Sequence, residues 1–270
     1  MQLSAVVITY NRIDVVETCL RSARIADELI VVDKGSTDGT AEVGRRMANT
    51  FVQVPWSPTV EETRTEAMAL ATAPWILSLD DDECLNGKAI EAVLSAIKNP
   101  KGSIYYLPHR HHVIGRHDER AFYWPEYRPV LFRRNAIRFS SVIHNGVHPT
   151  VEDRVAISPE TGAAIMHLSH KDVATWIEKT NRYTSRPERA GEAGANDMTP
   201  SGIMSLMQKY MSDVPLDDAD GYLTAVASLR GLYDVVDAIK RWEVEQPKCG
   251  EDRFIEICQA LNDEYDALRT

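Results

Sequence analysis

Short apolar runs alternate with amphipathic stretches along the first hundred residues. Four runs are rich in β-branched residues and short enough for one buried strand each: 3–10, 28–33, 51–54 and 75–79. Four intervening or following segments carry apolar residues at helical spacing: 14–26, 41–48, 61–71 and 88–98. Strands that alternate with helices across short loops predict an α/β fold with a mostly parallel, doubly wound sheet.

The fourth run differs from the others in how it ends. The apolar residues 75–79 are followed directly by Asp80, Asp81, Asp82 and Glu83. These carboxylates are therefore expected at the C-terminal edge of the sheet, where open α/β sheets bind ligands. Adjacent carboxylates repel one another, and hard oxygen ligands of this kind suit Mg²⁺ or Mn²⁺. The alternative is a solvated acidic turn that caps the next helix.

Polar residues also end the first two predicted strands. Thr9, Tyr10 and Asn11 follow the first strand, and Asp33 precedes a loop of turn residues that begins with Lys34 and Gly35. A carboxylate at such a strand end can accept a hydrogen bond from a base N–H or a ribose hydroxyl. These positions predict a nucleoside site, whereas the alternative for Asp33 is a helix-capping turn.

Composition and charge limit the classes of protein that the chain can belong to. A chain of 270 residues with 44% apolar content suits one large domain, or a domain with an appendage. The net charge of −10 argues against a nucleic-acid partner. Four cysteines without CxxC spacing predict reduced thiols in a cytoplasmic protein. No signal peptide or membrane span is expected, so membrane contact is predicted to be peripheral at most.

Three motifs in this order resemble the nucleotide-sugar half of family 2 glycosyltransferases with the GT-A fold: Val6–Asn11, Val31–Thr40 and Leu79–Glu83. The resemblance implies that Thr9 and Asp33 hold the base of a nucleotide, taken as uracil. Tyr10, Asn11, Gly35 and Asp81 belong to the same implied nucleotide site, and Asp80 is implied to contact the ribose. Asp82 is implied to ligate a Mn²⁺ or Mg²⁺ ion that bridges the diphosphate.

Arg64 matches the position of an arginine in the family's "ARN"-like motif, although Thr65 replaces the usual asparagine. Breaking a sugar–diphosphate bond builds negative charge on the departing nucleotide, which a divalent ion or an arginine can stabilise. The acceptor hydroxyl must also lose a proton to a base. The resemblance implies an inverting, single-displacement course.

Residues 109–138 are basic within an acidic chain, which suggests an anionic partner such as the diphosphate or a phosphorylated acceptor. This segment resembles the lipopolysaccharide core glucosyltransferases of family 2. The resemblance makes Glu126 and His144 the candidate catalytic bases, because Asn145 replaces that subgroup's glutamate. Arg128 and Arg133 are the candidate acceptor or phosphate contacts. The alternatives are a carboxylate that pairs with these arginines and a structural histidine.

The remainder of the chain predicts a short strand at 163–170 and then helices. In the resembling enzymes a C-terminal histidine completes the metal site, which makes His167 the candidate and His170 the second choice. The predicted organisation is a catalytic domain at 1–170, with a nucleotide half at 1–100 and an acceptor half at 101–170, and a helical extension at 171–270. A Gly-rich segment at 191–202 is either a donor lid or a plain connection. The apolar face of the last helix is expected to pack against the core or another subunit.

The sequence thus predicts a metal-dependent glycosyltransferase that moves a sugar from a nucleoside diphosphate, taken as UDP, to a glycan or a lipid-linked saccharide. It is expected in the cytoplasm or at the inner face of the membrane. The alternatives are a nucleotidyltransferase and a non-catalytic nucleotide-binding protein with a degenerate site. Donor sugar, acceptor and oligomeric state are not encoded in readable motifs.

Overall fold

The computed structural model describes residues 1–58, 60–140, 146–185, 198–248 and 250–267. The chain divides into two compact units. The first comprises Met1–Glu119 and Tyr123–Val173 and contains the β-sheet. The second comprises Arg120–Phe122 and Ala174–Thr270 and is helical where it is described. None of the helices in the described ranges is long and apolar enough to cross a bilayer.

The strands of the described residues are β1 (Leu3–Thr9), β2 (Glu28–Asp33), β3 (Thr50–Gln53), β4 (Trp75–Asp80), β5 (Glu83–Leu85), β6 (Ile104–Val113), β7 (Glu126–Arg133), β8 (Ile137–Phe139), β9 (Val147–Pro149), β10 (Arg154–Ala156) and β11 (Ile165–His170). The α-helices of the described residues are α1 (Val16–Ala23), α2 (Thr40–Met47), α3 (Glu61–Ala69), α4 (Gly87–Lys98), α5 (Val173–Thr184), α6 (Pro200–Met211), α7 (Tyr222–Glu245) and α8 (Gly250–Ala267).

The main sheet has the strand order β3-β2-β1-β4-β7-β6-β11-β5, with β10 paired to β6. Strands β3, β2, β1 and β4 are parallel, as the alternation of strands and helices predicts. Strand β7 is antiparallel to both β4 and β6, and β5 is antiparallel to β11. The sheet is therefore mixed, with its parallel half in the first hundred residues. This confirms the predicted GT-A-type architecture of a mostly parallel sheet flanked by helices.

Alternate residues of β1 belong to two different cores, because successive side chains of a strand point to opposite faces of the sheet. Leu3, Ala5 and Val7 pack in a cluster with residues of α1 and α4. Val6 and Ile8 pack on the other face with residues of α3 and β8. All five are at most 3% exposed, so β1 is a central strand that is covered on both faces.

Strand β6 includes His109 and His111, both of which are buried. The sequence analysis describes the segment that contains these two histidines only as basic. Their partners are Glu83 and Glu126, from distant parts of the chain, and those contacts allow polar rings to be buried there.

The second unit contains two packed helices, α6 and α7. Gly231 of α7 lies where a Cβ would come within 3.2 Å of the Met207 backbone, so the two helices approach closely at this point. Helix α6 begins at Pro200, so the end of the Gly-rich segment 191–202 is helical. Residues 191–197 lie outside the described part of the chain. The apolar side chains of α8, Phe254, Ile257, Leu261 and Tyr265, are exposed rather than packed against a core.

Candidate active site

The ends of β1, β2 and β4 meet at one edge of the sheet. Thr9 is the register partner of Asp33, and Ile8 is the register partner of Asp80. The polar residues that follow the three strands are therefore brought together, as the strand-end rule for α/β sheets predicts.

The two oxygens of the Asp33 carboxylate have different surroundings. Oδ2 accepts hydrogen bonds from the backbone N–H groups of Gly35 and Ser36 and from Nε2 of Gln53, at 2.9–3.1 Å. Oδ1 is buried and has no hydrogen-bond partner within the described residues. The same holds for Oγ1 of Thr9. Buried polar atoms are usually satisfied, so this pair of atoms marks a place for a polar ligand.

The loop after β1 is fixed against the loop after β2. Asn11 has a φ of 49° and accepts a hydrogen bond on Oδ1 from the backbone N–H of Thr37. The backbone N–H of Asn11 donates to Oγ of Ser36, and that of Tyr10 donates to Oδ2 of Asp81. Tyr10, Asn11 and Asp81 are thus at the predicted edge, where they hold the loops beside the Asp33 pocket.

Arg64 and Asp80 form an ion pair, with Nη2 of the arginine 2.9 Å from Oδ1 of the aspartate. Burial raises the pKa of Asp80, and the positive charge of Arg64 opposes that rise. The predicted placement of Arg64 in the site therefore has a structural basis. The guanidinium opposes the effect of burial on Asp80 and holds the carboxyl group at the end of β4, at the same edge as Thr9 and Asp33.

Arg12 lies on the two central acids of the site, and the sequence analysis did not select it. Its Nη2 is 2.5 Å from Oδ2 of Asp82, and its Nε is 3.3 Å from Oδ1 of Asp81. Burial, and then the charge of Asp82, raise the pKa of Asp81, whereas Arg12 lowers it. The position of Arg12, directly after Asn11 at the end of β1, was a signal that could have identified it.

Asp82 and His167 come together, as the predicted metal site requires. Oδ1 of Asp82 lies 3.3 Å from Nε2 of His167, and both side chains are buried to more than 85%. Two ligands about 2.1–2.3 Å from one ion are separated by about this distance, and Mg²⁺ sites keep several waters and phosphate oxygens. The pair fits a divalent ion as a partial set. Among the described residues, no group of three His, Cys, Asp or Glu side chains is arranged to hold a metal by itself.

Glu126 has partners on both of its carboxylate oxygens. Arg128 donates from Nε to Oε1 at 2.8 Å, and Nε2 of His111 lies 2.7 Å from Oε2. Burial would raise the pKa of Glu126, but His111 and Arg128 outweigh it and hold the pKa well below its usual range. Burial lowers the pKa of His111 to about 4. The Arg128 pairing was the alternative considered for Glu126.

Glu83 and His109 form a second buried pair of a carboxylate and an imidazole, in addition to Glu126 and His111. Nε2 of His109 lies 3.2 Å from Oε1 of Glu83, and Oε2 of Glu83 accepts a hydrogen bond from the backbone N–H of Asp80. Burial would raise the pKa of Glu83, but His109 overcomes this and the pKa is lowered. Glu83 was expected at this edge together with the three preceding acids, whereas His109 and His111 were not selected from the sequence, since a histidine inside a strand carries no motif.

Not all predicted site residues meet at this edge. Arg133 pairs in register with Trp75, at the beginning of β4, and its guanidinium lies 4.5 Å from the centroid of the Trp75 ring. It is therefore at the end of the sheet opposite Asp80. His170, the second choice for the metal, has its Nδ1 2.9 Å from Oγ of Ser169. His144 and Asn145 lie outside the described residues.

Comparisons with known proteins agree on one family. Glycosyl transferase family 2 matches residues 4–151, which is more than half of the chain. An uncharacterized glycosyltransferase of Rickettsia bellii is 26% identical over 75% of this chain and 71% of its own length. The lipopolysaccharide core biosynthesis glycosyltransferase LpsC of Rhizobium meliloti is 27% identical over 72% of this chain and 73% of its own length.

A solved structure shares the fold. The mannosyltransferase PcManGT from Pyrobaculum calidifontis, in complex with GDP-Man and Mn²⁺, aligns with a TM-score of 0.54 at 15% identity. The alignment covers 91% of this chain and 88% of the mannosyltransferase. The structural alignment is therefore longer than the stretch that the family model matches, residues 4–151.

Proposed function

The chain belongs to glycosyl transferase family 2, and from that premise we propose that it is an inverting, metal-dependent glycosyltransferase that takes its sugar from a nucleoside diphosphate. The observation that carries the donor class is the unpartnered, buried Oδ1 of Asp33 beside Oγ1 of Thr9. An ionised carboxylate accepts hydrogen bonds and donates none. It therefore favours a base that presents a ring N–H, as uracil and guanine do, whereas cytosine and adenine could offer this oxygen only an exocyclic amino group.

Asp80, Asp81 and Asp82 extend from this pocket along the direction that a ribose and a diphosphate would follow. Asp80 would accept from a ribose hydroxyl, while Arg64 keeps its charge in place. Asp82 and His167 would supply two of the ligands of a divalent ion. Such an ion supplies positive charge for the departing diphosphate when it is bound. Arg12 would supply a second, permanent positive charge at the same acids.

Glu126 is the proposed base for the acceptor hydroxyl. It is 40% exposed as a side chain, and a carboxylate keeps further acceptor positions after one hydrogen bond to each oxygen. Its lowered pKa keeps it ionised at neutral pH, which is the form that a base requires. Arg128, which holds Glu126, is also the remaining candidate for a contact with phosphate.

The acceptor proposal rests on the relatives. LpsC is a lipopolysaccharide core biosynthesis glycosyltransferase, so a saccharide of the cell envelope carried on a lipid is the acceptor class that we propose for this chain. We also propose that the protein acts in the cytoplasm or at the inner face of the membrane. The family match favours transfer of a sugar over transfer of a nucleotide.

The test is isothermal titration with UDP, GDP, CDP and ADP, each with and without Mn²⁺. Binding of UDP or GDP that is at least tenfold tighter than that of CDP and ADP supports the donor site, since one hydrogen bond to a charged group contributes about 1.5–3 kcal/mol. Mn²⁺ should increase the affinity in the wild type and not in Asp82→Ala. Equal binding of all four nucleotides would contradict the base recognition, and an unchanged effect of Mn²⁺ in Asp82→Ala would contradict the metal site.

A further inference from the structure

A continuous line of close contacts joins the proposed base to the proposed metal ligands. Oε2 of Glu126 lies 2.7 Å from Nε2 of His111, and Nδ1 of His111 lies 2.8 Å from Nδ1 of His167. Nε2 of His167 then lies 3.3 Å from Oδ1 of Asp82. The line crosses strands β7, β6 and β11 and ends at the turn after β4.

The register of the sheet fixes the two imidazoles together. His111 and His167 are register partners on the parallel strands β6 and β11, and their ring centroids are 4.8 Å apart. Both rings are buried, with at most 12% of either side chain exposed. The contact therefore belongs to the rigid part of the sheet and does not depend on a surface loop.

The contact with Glu126 sets the proton on one side of His111. A carboxylate oxygen and a bare ring nitrogen are both acceptors, and they do not remain 2.7 Å apart without a proton between them. The short distance places the hydrogen on Nε2 of His111, although the N–H is not aligned for a hydrogen bond with that oxygen. A ring with its hydrogen on Nε2 turns Nδ1, as an acceptor, toward His167.

The second contact transfers this choice to His167. Two ring nitrogens 2.8 Å apart need one proton between them, and Nδ1 of His111 has none to give. Nδ1 of His167 must therefore donate. Only Nε2 of His167 is left to face Asp82, where it holds either a proton or a metal ion.

We propose that His111 is a positioning residue for the metal site: anchored by Glu126, it fixes His167 in the orientation and tautomer in which Nε2 can bind a divalent ion beside Asp82. This inference rests on the proposed function, since it assumes that Asp82 and His167 hold the ion. It assigns a role to a histidine that no motif identifies. Outer partners of ligating histidines commonly determine metal affinity in this way.

The experiment measures the Kd of UDP by titration calorimetry, without Mn²⁺ and at a series of Mn²⁺ concentrations up to saturation, for the wild type and His111→Phe, His111→Gln, His112→Phe and His167→Ala. Glutamine can donate from its amide nitrogen and accept on its oxygen, so it can replace both contacts of His111. Phenylalanine keeps a ring of similar size and makes neither contact. His112 is the matched control, because its Nδ1 contacts the backbone oxygen of Arg110 instead.

We expect His111→Phe to bind UDP without metal as the wild type does. The Mn²⁺ concentration that produces half of the affinity gain should rise by about 10- to 100-fold, and His111→Gln should restore most of it. His112→Phe should resemble the wild type, and His167→Ala should lose the gain. Long-range ¹⁵N–¹H spectra of metal-free wild type should show the proton on Nδ1 of His167.

Two outcomes would overturn the inference while leaving the metal site intact. One is a normal Mn²⁺ effect in His111→Phe together with its loss in His167→Ala. The other is an equal loss of UDP binding with and without metal in His111→Phe, which would indicate general damage to the site. If His167→Ala keeps the full Mn²⁺ effect, the proposed metal site itself fails.

Discussion

Gln53 donates a hydrogen bond from Nε2 to Oδ2 of Asp33 at 2.9 Å, across the pair of neighbouring strands β2 and β3. The other donors to this oxygen come from the loop that follows Asp33. The orientation of the carboxylate is therefore set by the sheet as well as by the loop. With Oδ2 fully engaged, Oδ1 remains for a ligand.

The first prediction concerns base recognition. Asp33→Asn should weaken UDP or GDP binding by roughly 10- to 100-fold. The substitution replaces one carboxylate oxygen with an amide nitrogen, which donates hydrogen bonds and cannot accept one from the ring N–H. Gln53→Leu should have a smaller effect of about tenfold or less, since it removes only one of three donors to Oδ2. Calorimetric Kd values would measure both changes.

Asp38→Asn is the matched control for these variants. Asp38 lies in the same loop, but its Oδ1 accepts from Thr40 and its Oδ2 from the backbone N–H of Ile13. It should bind nucleotides as the wild type does. If Asp38→Asn weakens UDP binding as much as Asp33→Asn does, the effect comes from the order of the loop and not from recognition of the base.

The second prediction separates two roles of Glu126. As the base, it should lose activity by about 10²- to 10⁴-fold when changed to glutamine, with donor and Mn²⁺ binding kept within about threefold. Glutamine can still accept from His111, so an anchoring role alone would leave kcat nearly unchanged. Initial rates at saturating donor and acceptor, with calorimetry as the second readout, decide between them.

The pH profile gives an independent check on Glu126. Its pKa is held below the usual range by His111 and Arg128, against the effect of burial. It therefore stays ionised throughout pH 5–8 and should cause no loss of kcat/KM on the acid side of that window. An acid limb that appears near pH 6 in the wild type and disappears in Glu126→Gln would contradict this assignment.

The third prediction concerns stability without metal. Burial raises the pKa of Asp81 to about 7, so the folded chain binds more protons at this site than the unfolded chain does between about pH 4 and 7. The wild type therefore loses stability from this group as pH rises through that window. Asp81→Asn should be more stable than the wild type at pH 8, by about 1–3 kcal/mol, and the difference should shrink toward pH 5.

Urea unfolding in EDTA at pH 5, 6.5 and 8 measures this difference. Comparison of the two proteins is necessary because His111, with a pKa lowered to about 4, acts in the opposite sense below pH 6.5. Its effect is common to both proteins and cancels in the comparison. A constant difference between the variants across the three pH values would contradict the titration of Asp81.

The fourth prediction concerns the packing of α2 on the sheet. A Cβ at Gly44 would lie 2.9 Å from the ring of Phe51 and 3.1 Å from Val31. Gly44→Ala should therefore destabilise the fold by about 1–3 kcal/mol, although alanine is the better helix former. Gly87 begins α4 with no atom within 4 Å of an added Cβ, so Gly87→Ala should be neutral or stabilising. Urea midpoints would measure both, and equal effects would contradict the close approach.

Much of the site could be predicted because strand ends carry positional information. Thr9, Asp33 and Asp80 each end an apolar run, and the parallel order of their strands follows from the alternation with helices. The strand-end rule needs only the local pattern of apolar residues and the parallel order of the strands. It correctly predicts that these polar side chains meet at one edge of the sheet.

The contacts that were missed depend on distant pairing. The role of His111 depends on its contacts with Glu126 and His167, which are 15 and 56 positions away in the chain. Arg133 was placed in the site because it belongs to the same basic segment as Arg128. A single strand, β7, contains both arginines, and the five residues of strand from Arg128 to Arg133 extend about 17 Å. One end therefore lies at the site and the other does not.

The turn between β4 and β5 has a consequence for how this chain can change. Only Asp81 and Asp82 separate the two strands in sequence, yet β5 ends the sheet order that runs from β4 through β7, β6 and β11. The pair is a covalent link between two elements whose positions the sheet already fixes. An insertion or deletion there would therefore strain the pairing of β4 or of β5, whereas β11 already accommodates an irregularity, the register shift between His167 and His170.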